Sequence, residues 1–355
     1  MLSQEGDTYL VGGAVRDLLL GRTPRDYDLA TSVPPQRARA ILGWREGALD
    51  AFGVLHGPEQ SLEVVSLRSE GPYRDRRHPD VVRFGASLDE DLLRRDFTAN
   101  ALALDRSGRL HDPSGGLGDL RHGLLRTVGP AAERLEEDLL RILRAYRLAA
   151  ELGWRLDPAL RQTTRQLAHE LRAVSPERIG EEIWRLLRAP GGYVPLRWAD
   201  EDGVLRTVLP SLHPTRPIAG PLPRLVGWTR GDVNAAVSVW RQFAWPRGEQ
   251  RLAEAALRLR EAVSATGDRA LWREALARAG SSAADILVLA GGSRRLAAFA
   301  RVYGREGVLD RTRLLLRGAA LASAEGLTGA EIGARERQLL LEIWRDPARI
   351  KHVSR

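Results

Sequence analysis

Two kinds of hydrophobic pattern divide the chain, and the change between them falls near Gly129. Before Gly129, short apolar runs alternate with turn residues, which is typical of strands. These runs are YLVGG, RDYDLATS, LEVVSLRS, DVVRF and ALALD, and a helix-like stretch, AVRDLLLG, follows the first of them. The mixture of strands and helices predicts an α+β domain over residues 1–128.

After Gly129, apolar residues recur at spacings of three and four, which predicts helices. The clearest stretches are AERLEEDLLRILRAYRLAAELG and PERIGEEIWRLLRA. Clusters of proline and glycine, APGGYVP and LPSLHPTRPIAGPLPR, predict breaks between groups of helices. We therefore expect the rest of the chain to be all helix, with domain boundaries or exposed connections at residues 189–195 and 209–224.

The composition indicates a folded protein of several domains. Of its 355 residues 43% are hydrophobic and 28% are charged, so the chain can bury a sizeable core. No window approaches the ~18 uninterrupted apolar residues of a membrane span, and no signal-peptide pattern is present. We therefore expect a cytoplasmic protein with no membrane partner. The absence of cysteine excludes disulfides, thiolate metal sites and cysteine nucleophiles.

The net charge indicates the class of binding partner. The net charge is +8 and the isoelectric point is near 10.5, which favours a polyanion. Lys351 is the only lysine, so nearly every cation is an arginine, whose planar fork suits phosphates and base edges. Mutational bias in a GC-rich genome explains the arginine usage equally well. The positive field exists under either explanation.

Two aspartates in RDYDLA are candidates for a metal site. Asp26 and Asp28 are two positions apart, so on a strand both carboxylates project from one face. Such carboxylates, completed by water and substrate phosphates, normally bind Mg²⁺. Glu63, at the start of EVVSL, is the best candidate for a third carboxylate on a neighbouring strand. The set predicts nucleotidyl or phosphoryl transfer, although D-x-D alone is more often a surface pattern.

A glycine pair precedes these aspartates. Gly12 and Gly13 lie between an apolar run and a helix, where backbone N–H groups can approach a phosphate closely. Arg16, on the first helical turn, can hold a triphosphate, whereas Asp17 is equally suited to fixing Arg16 or capping the helix. The segment is neither a Walker A loop nor a G-x-G-x-x-G fingerprint, and a lone glycine pair is more often only a turn.

Several linked segments resemble one known family. LVGGAVRDLLLG…RDYDLATS, LLRRDFTANALAL, HDPSGGLGDLRHGLLRTVG, EEDLLRILRAYRLAAELGW and SPERIGEEIWRLL occur in the order found in bacterial (class II) tRNA nucleotidyltransferases. These CCA-adding enzymes are relatives of bacterial poly(A) polymerase in the polymerase-β-like nucleotidyltransferase superfamily. The resemblance covers roughly the first 190 residues.

The resemblance implies a fold, a reaction and partners. The fold is a nucleotidyltransferase head at 1–128, a helical neck at 129–190, a body at 191–275 and a tRNA-binding tail at 276–355. The reaction is template-independent nucleotide addition to the 3′ acceptor end of tRNA, with a two-ion Mg²⁺ site and with CTP and ATP as substrates. The oligomeric state is not indicated.

In RRDFTANA, Arg94 and Arg95 can contact a triphosphate, and Asp96 and Asn100 can hydrogen-bond a ribose hydroxyl. For Arg94 and Asn100, a structural role in tying a strand to a helix has about equal weight. The resemblance favours Arg95 as the nucleotide-binding arginine and places Asp96 beside it at the sugar.

The segment EDLLR matches the family's E-D-x-x-R motif, which recognises the incoming base. On a helix Asp138 and Arg141 share a face, and Arg144 and Arg147 extend it. An Asp/Arg edge accepts one hydrogen bond and donates another, which suits cytosine and adenine and leaves guanine and uracil unpaired. By itself, the segment would favour a surface ion pair between Glu137 and Arg141.

Three products are compatible with these motifs. The polar segment at residues 70–84 aligns with the family's loop that accompanies the switch from C to A addition, which favours full CCA addition. The stretch between His56 and Glu63 is shorter than the family's hairpin, so a trimmed or missing strand leaves open an enzyme that adds only A to tRNA ending in CC. A poly(A) polymerase is the further alternative, weakly disfavoured because no long basic tail is evident.

Two other hypotheses are set aside. His111-Asp112 is not a metal-dependent HD site, because the other histidines form no partner motif and PSGG indicates a turn. A catalytically silent RNA-binding protein would need a damaged carboxylate cluster, whereas the cluster in this sequence is intact. The C-terminal half, with segments such as VSVWRQFAWPRGEQRL, GSRRLAAFARVYGREG and DRTRLLLRG, predicts core tryptophans and solvated arginines on a surface for the tRNA acceptor arm.

Overall fold

The computed structural model describes residues 1–45, 52–58, 61–77, 79–218, 220–230, 232–243, 245 and 318–345. The chain forms two compact units, Met1–Val208 and Leu209–Arg355. The predicted segments at 292–307 and 310–317 lie outside the described residues.

The first unit contains the strands, which form one main sheet and two small ones. The described strands are β1 (Thr8–Val11), β2 (Tyr27–Thr31), β3 (Val54–His56), β4 (Leu62–Ser66), β5 (Arg68–Glu70), β6 (Val82–Phe84), β7 (Ala103–Leu104), β8 (Leu110–His111), β9 (Leu124–Leu125) and β10 (Arg155–Leu156). Six of these described strands form the main sheet in the order β3-β4-β2-β1-β7-β8. Only β2 and β4 pair in parallel within it, so the sheet is mixed.

Helices follow one another through the rest of the first unit and into the second. The described α-helices are α1 (Gly13–Leu19), α2 (Pro35–Leu42), α3 (Leu88–Leu93), α4 (Gly116–His122), α5 (Ala131–Glu137), α6 (Leu140–Leu152), α7 (Pro158–Leu167), α8 (Pro176–Arg188), α9 (Tyr193–Glu201), α10 (Val204–Val208), α11 (Pro221–Trp228), α12 (Val233–Gln242), α13 (Ala319–Glu325) and α14 (Ala330–Arg345). Short 3₁₀ turns occur at Leu2–Gln4, Thr98–Asn100 and Ala168–Ala173.

The alternating pattern of the strands explains the sheet core. Val11 and Ala30 are fully buried on neighbouring strands and pack with Leu92 of α3 and Ala103 of β7. Because Val11 and Ala30 are buried on one face of the sheet, the residues of β2 that alternate with Ala30 lie on the opposite face. The prediction of an α+β head is confirmed.

Helix α6 is the centre of the helical part of the first unit. It packs against α8 and α9, and its Tyr146 is fully buried. The Tyr146 hydroxyl donates to the carboxylate of Asp202 at 2.8 Å, and Arg161 and Arg165 donate to the same carboxylate at 2.7 and 2.6 Å. The helix ends at Gly153, whose left-handed conformation closes the last turn.

The structure differs from the predicted pattern at two places. Residues after Gly129 were expected to be all helix, but Arg155 and Leu156 form β10 and pair in parallel with β9. The strand before the short hairpin turn is present, since β3 pairs with β4 from Val54↔Val65 to His56↔Glu63, although it has only three residues. The predicted domain boundaries at 128, 190 and 275 stay predictions.

The described part of the second unit has a core of tryptophan, as the sequence predicts. Trp228 and Trp240 are fully buried, and the indole N–H of Trp228 donates to the carbonyl of Arg216 at 2.8 Å. Trp245 packs edge-on against Trp240, with 5.3 Å between the ring centroids. Among the helices that the structure describes, none is long and apolar enough to cross a membrane.

Replacing Gly116 with alanine is expected to destabilise the protein. A Cβ at this position would stand 2.1 Å from the carbonyl oxygen of Thr98, a backbone atom that cannot move aside independently. We expect the free energy of unfolding to fall by about 2 kcal/mol or more, as measured by urea denaturation. Gly118→Ala in the same helix is the control, because no described atom lies within 4 Å of its Cβ position. Helix propensity predicts a gain of up to about 1 kcal/mol there, and equal losses at both glycines would contradict the close-packing explanation.

Candidate active site

One cavity of about 1140 Å³ lies in the first unit, between the sheet, α1, and helices α6 and α8. Every residue predicted from the sequence for the site lines it. They are Gly12, Gly13, Arg16, Asp26, Asp28, Glu63, Arg95, Asp96, Asn100, Asp138, Arg141, Arg144 and Arg147. The structure therefore brings together side chains that are more than 130 residues apart, while the roles assigned to them remain predictions.

Three carboxylates stand together at the sheet end of the cavity. Asp28 is on β2, Asp26 immediately precedes the strand, and the parallel pairing of β2 with β4 sets Asp28 beside Glu63. Burial raises the pKa of Asp28, and Asp26 raises it further, against an opposing effect of Arg95. Burial also raises the pKa of Glu63, as does the charge of Asp28. The group is thus short of positive charge, which suits cation binding.

His56 is the basic neighbour of Glu63. It occupies the position across from Glu63 in the β3–β4 pair, and its Nδ1 lies 3.2 Å from Glu63 Oε1. This contact lowers the pKa of Glu63, although burial and Asp28 outweigh it. One oxygen of Glu63 is consequently directed towards β3.

The donors present fit Mg²⁺. Magnesium is typically held by one or two carboxylates, with substrate phosphates and water completing an octahedral shell. Asp26 and Asp28 supply such a pair at the start of β2, where burial and, to a smaller extent, the charge of Asp26 raise the pKa of Asp28. Across the described ranges, no group of three or more His, Cys, Asp or Glu side chains is arranged to hold a metal ion, so the fit rests on the pair Asp26 and Asp28, and Glu63 is their neighbour without completing a set of three ligands.

Gly12 permits a close approach between the glycine turn and Arg95. Its φ is +74°, and a Cβ there would lie 2.9 Å from Arg95 Nη1 and 3.4 Å from Asp28 Oδ2. Arg95 Nη2 donates to Asp91 at 3.2 Å, while its buried Nε finds no hydrogen-bond partner among the described residues. Arg95 therefore has unused donor capacity beside the carboxylates.

A chain of polar contacts leads from α1 into the cavity. Arg16 donates to Asp17 at 2.9 Å and to Asn100 at 2.7 Å, which confirms that Asp17 fixes Arg16. Asn100 donates in turn to Asp96 at 3.2 Å, and Arg144 lies 3.4 Å from the other Asp96 oxygen. Burial favours the neutral form of Asp96, but Arg144, Arg141 and the hydrogen bonds outweigh it, so the pKa of Asp96 is lowered. Asp96 is therefore an anionic acceptor.

Arg94 makes the structural contacts that the sequence left open as an alternative. It donates to Asp91 at 2.6 Å, to Glu70 at 2.8 Å and to the carbonyl of Arg68 at 3.2 Å. These bonds join α3 to the β5–β6 hairpin. Arg94 and Arg95 differ accordingly, since each nitrogen of Arg94 has a partner among the described residues, whereas the buried Nε of Arg95 has none.

The expectation that Asp138 lies on a helix with Arg141 is wrong. Asp138 has extended backbone angles, φ −147° and ψ 106°, at the break between α5 and α6. Its carboxylate accepts from the Leu140 amide at 3.1 Å, an interaction by which aspartate favours helix starts over helix interiors. Arg178 of α8 donates to both carboxylate oxygens, at 3.1 and 2.8 Å. It lies in the motif SPERIGEEIWRLL, for whose residues no role was predicted.

Arg141 is held on three sides. It donates to Glu137 at 2.5 Å, as the ion-pair hypothesis predicts, and to the carbonyl of Arg134 at 2.7 Å. Its guanidinium also lies over the ring of Tyr73, 5.9 Å from the centroid, and the Tyr73 hydroxyl hydrogen-bonds Glu70. Tyr73 and Glu70 are further cavity residues in the segment 70–84, for which the resemblance implies a loop, although neither residue was singled out there.

Arg147 is bound to carboxylates of the helical part. It is only 3% exposed and donates to Glu182 at 2.5 Å and to Glu151 at 2.7 Å. Its proposed contact with a nucleotide stays a prediction.

On the far edge of the sheet, Asp112 accepts from the amides of Gly116 and Leu117, which agrees with a turn in place of an HD metal site.

A mixed sheet with a glycine turn, adjacent carboxylates and a following set of helices defines the class of nucleotidyltransferase heads. Residues 8–126 match the family described as Poly A polymerase head domain. Residues 153–215 match the family described as Probable RNA and SrmB- binding site of polymerase A. The chain belongs to the tRNA nucleotidyltransferase/poly(A) polymerase family.

Similar curated proteins are named CCA-adding enzymes. The chain is 43% identical over 218 residues to that of Geobacillus stearothermophilus, which is 59% of this chain and 53% of the relative. It is 44% identical over 190 residues to that of Streptococcus pyogenes, which is 52% of this chain and 46% of the relative. The chain thus spans about half the length of the curated relatives it matches.

Solved structures share the fold. The CCA-adding enzyme of Bacillus stearothermophilus in complex with CTP has a TM-score of 0.68 and 29% identity, covering 99% of this chain and 90% of that one. A tRNA nucleotidyltransferase complexed with a primer tRNA and an incoming ATP analogue has a TM-score of 0.61 and 23% identity, covering 86% and 98%.

Replacing Asp28 with asparagine is expected to stabilise the metal-free protein near neutral pH. Because burial raises its pKa above 3.8 in the folded state, the folded protein loses stability as pH rises from 3.8 through that pKa. Asp28→Asn removes this loss, and its advantage should shrink as pH falls towards 3.8. Urea unfolding with a chelator at several pH values measures the effect.

Asp91→Asn is the matched control of opposite sign. Burial disfavours the Asp91 carboxylate, but Arg94 and Arg95 outweigh it and lower its pKa below 3.8. The ionised Asp91 carboxylate stabilises the folded protein above pH 3.8, and this stabilisation is lost as the pH falls through the folded-state pKa. Asp91→Asn should therefore be less stable than wild type at neutral pH. Stabilisation by both substitutions would contradict these causes.

Proposed function

We propose that this protein is an RNA nucleotidyltransferase that adds nucleotides to the 3′ end of tRNA without a template, using CTP and ATP and releasing pyrophosphate. The observation that carries the proposal is that the carboxylates Asp26 and Asp28 and the base-selecting pair, Asp138 and Arg141, line the same cavity. A nucleotide bound in this cavity could place its reacting phosphate at Asp26 and Asp28 and its base at Asp138 and Arg141. The similar proteins named CCA-adding enzymes support the same reaction.

The sheet end of the cavity is suited to the transfer. Asp26 and Asp28 would hold Mg²⁺, with Glu63 as the third carboxylate. Bound there, Mg²⁺ would lower the pKa of the RNA 3′-hydroxyl and offset charge on the triphosphate. In the reaction, the 3′-hydroxyl loses its proton to water as its oxygen bonds to the α-phosphorus, the bond from the α-phosphorus to the bridging oxygen breaks, and pyrophosphate leaves.

The glycine turn and the arginines around it are suited to the triphosphate. Arg95 lines the cavity with its Nη1 next to the glycine turn, and Arg16 adds a guanidinium from α1. Asp96, kept anionic by Arg144 and Arg141, is suited to accept from a ribose hydroxyl. Asn100 accepts from Arg16 and donates to Asp96, so hydrogen bonds connect the residue proposed for the triphosphate to the residue proposed for the ribose.

The base-selecting pair is suited to cytosine and adenine. Both bases present an amine donor next to a ring-nitrogen acceptor, which match the acceptor of Asp138 and the donors of Arg141. Uracil and guanine present a carbonyl where the amine would be, which leaves these polar groups unpaired and is a strong basis for rejection. Addition of A alone is the second candidate, because β3 has only three residues.

Three tRNA substrates test the proposal. Purified protein is offered tRNA ending in the discriminator base, in C and in CC, with CTP and ATP separately and together. Growth by CCA on the first substrate is the expected result. Growth only on tRNA ending in CC would assign A addition, a long A ladder would assign polyadenylation, and no incorporation on any substrate would overturn the proposal.

Asp28→Ala should abolish nucleotide incorporation while tRNA binding is largely retained. Loss of a metal carboxylate removes the activation of the 3′-hydroxyl, and single groups of this kind contribute factors of about 10² or more. Primer extension measures incorporation and filter retention measures tRNA binding. Asp105→Ala, a carboxylate on the loop between β7 and β8 that does not line the cavity, is the control. Full activity of Asp28→Ala would contradict the metal-site assignment.

A further inference from the structure

The carboxylate of Asp138 is fixed from behind by an arginine of another helix. Arg178 Nη2 contacts both of its oxygens, at 3.1 and 2.8 Å, and the Leu140 amide donates to Oδ1 at 3.1 Å. The Asp138 side chain is 14% exposed, and that of Arg178 is 24% exposed. Asp138 lines the cavity whereas Arg178 does not, so the arginine reaches the cavity only through this contact.

The partner of Asp138 is held in the same manner. Glu137 and the carbonyl of Arg134 take up donors of Arg141 and fix its guanidinium. Both members of the base-selecting pair are therefore oriented by the protein before a base arrives. Such preorganisation lowers the cost of binding the matching ligand, and it prevents a side chain from turning to accommodate a mismatched one.

The hydrogen-bond capacity of Asp138 shows why this matters for selection. An ionised carboxylate has about four acceptor positions, and it has no donor. The two contacts with Arg178 and the one with the Leu140 amide occupy most of them. The remaining acceptor can receive an amine of cytosine or adenine, whereas a carbonyl of uracil or guanine meets only a second acceptor.

We propose that Arg178 is a positioning residue for nucleotide selection, acting by holding the Asp138 carboxylate in the orientation that accepts an exocyclic amine. Without Arg178 the carboxylate can rotate away from the cavity, and its acceptor is no longer presented to the base. The binding affinity should then fall more for CTP and ATP, which use that acceptor, than for UTP and GTP, which do not. This inference rests on the proposed function, because it assigns the choice of base to Asp138.

Equilibrium binding tests it without tRNA. The full chain and Arg178→Gln are titrated with CTP, ATP, UTP and GTP in turn. Wild type should prefer CTP to UTP and ATP to GTP, and Arg178→Gln should lower each preference by about tenfold or more, mainly by weakening CTP and ATP. Arg178→Lys, which keeps the charge but loses the planar fork, should restore part of the preference.

Two further variants separate positioning from structural damage. Arg165→Gln removes an arginine from the buried carboxylate of Asp202 and does not line the cavity, so it should lower the unfolding temperature without changing the preference. In an Asp138→Asn background, Arg178→Gln should change the preference no further, because the two residues act as one unit.

The outcomes are distinguishable. A folded Arg178→Gln protein that keeps the wild-type preference overturns the inference, as does an equal loss of preference in Arg165→Gln. An additive effect of Arg178→Gln on Asp138→Asn also overturns it. A wild-type protein that binds all four nucleotides equally contradicts the base-selecting role of Asp138 and Arg141 in the proposed function.

Discussion

The parallel pairing of β2 with β4 is the constraint on which the cavity depends. It sets Asp28 beside Glu63, although 35 positions separate them along the chain. A shift of one residue in this register would send one of the two side chains to the opposite face of the sheet. The buried Val64 of β4 therefore does more than stabilise the head, since its packing with Leu29 of β2 also holds the register that assembles the carboxylates.

Arginine–carboxylate pairs divide the remaining cavity residues into two groups. Arg94 and Arg147 are bound to carboxylates of the protein, and they connect elements that surround the cavity. Arg95 keeps a buried donor that no described residue uses. An abundance of arginine thus does not translate directly into ligand contacts, because much of it balances carboxylates that burial would otherwise neutralise.

The sequence was sufficient to predict the fold class and to place every proposed site residue at one cavity, because motif order and strand periodicity are local signals. It did not predict the conformation of Asp138, since an apolar period continues across the break between α5 and α6. It also gave no role to Arg178 or Tyr73, although Arg178 lies in the motif SPERIGEEIWRLL and Tyr73 in the segment 70–84. Their contacts with Asp138 and Arg141 are tertiary, and no spacing along the chain encodes them.

The two-residue pairing of β9 with β10 closes a loop on the head. The chain leaves the head at Leu125, passes through α5 and α6, and returns to pair with the same strand at Arg155. Both ends of this loop are therefore fixed at one point by backbone hydrogen bonds. Its side chains nevertheless reach partners outside it, since Arg141 lies over Tyr73 of the head and Asp138 binds Arg178 of α8. A graft of this loop onto a related head would therefore have to carry these partners with it.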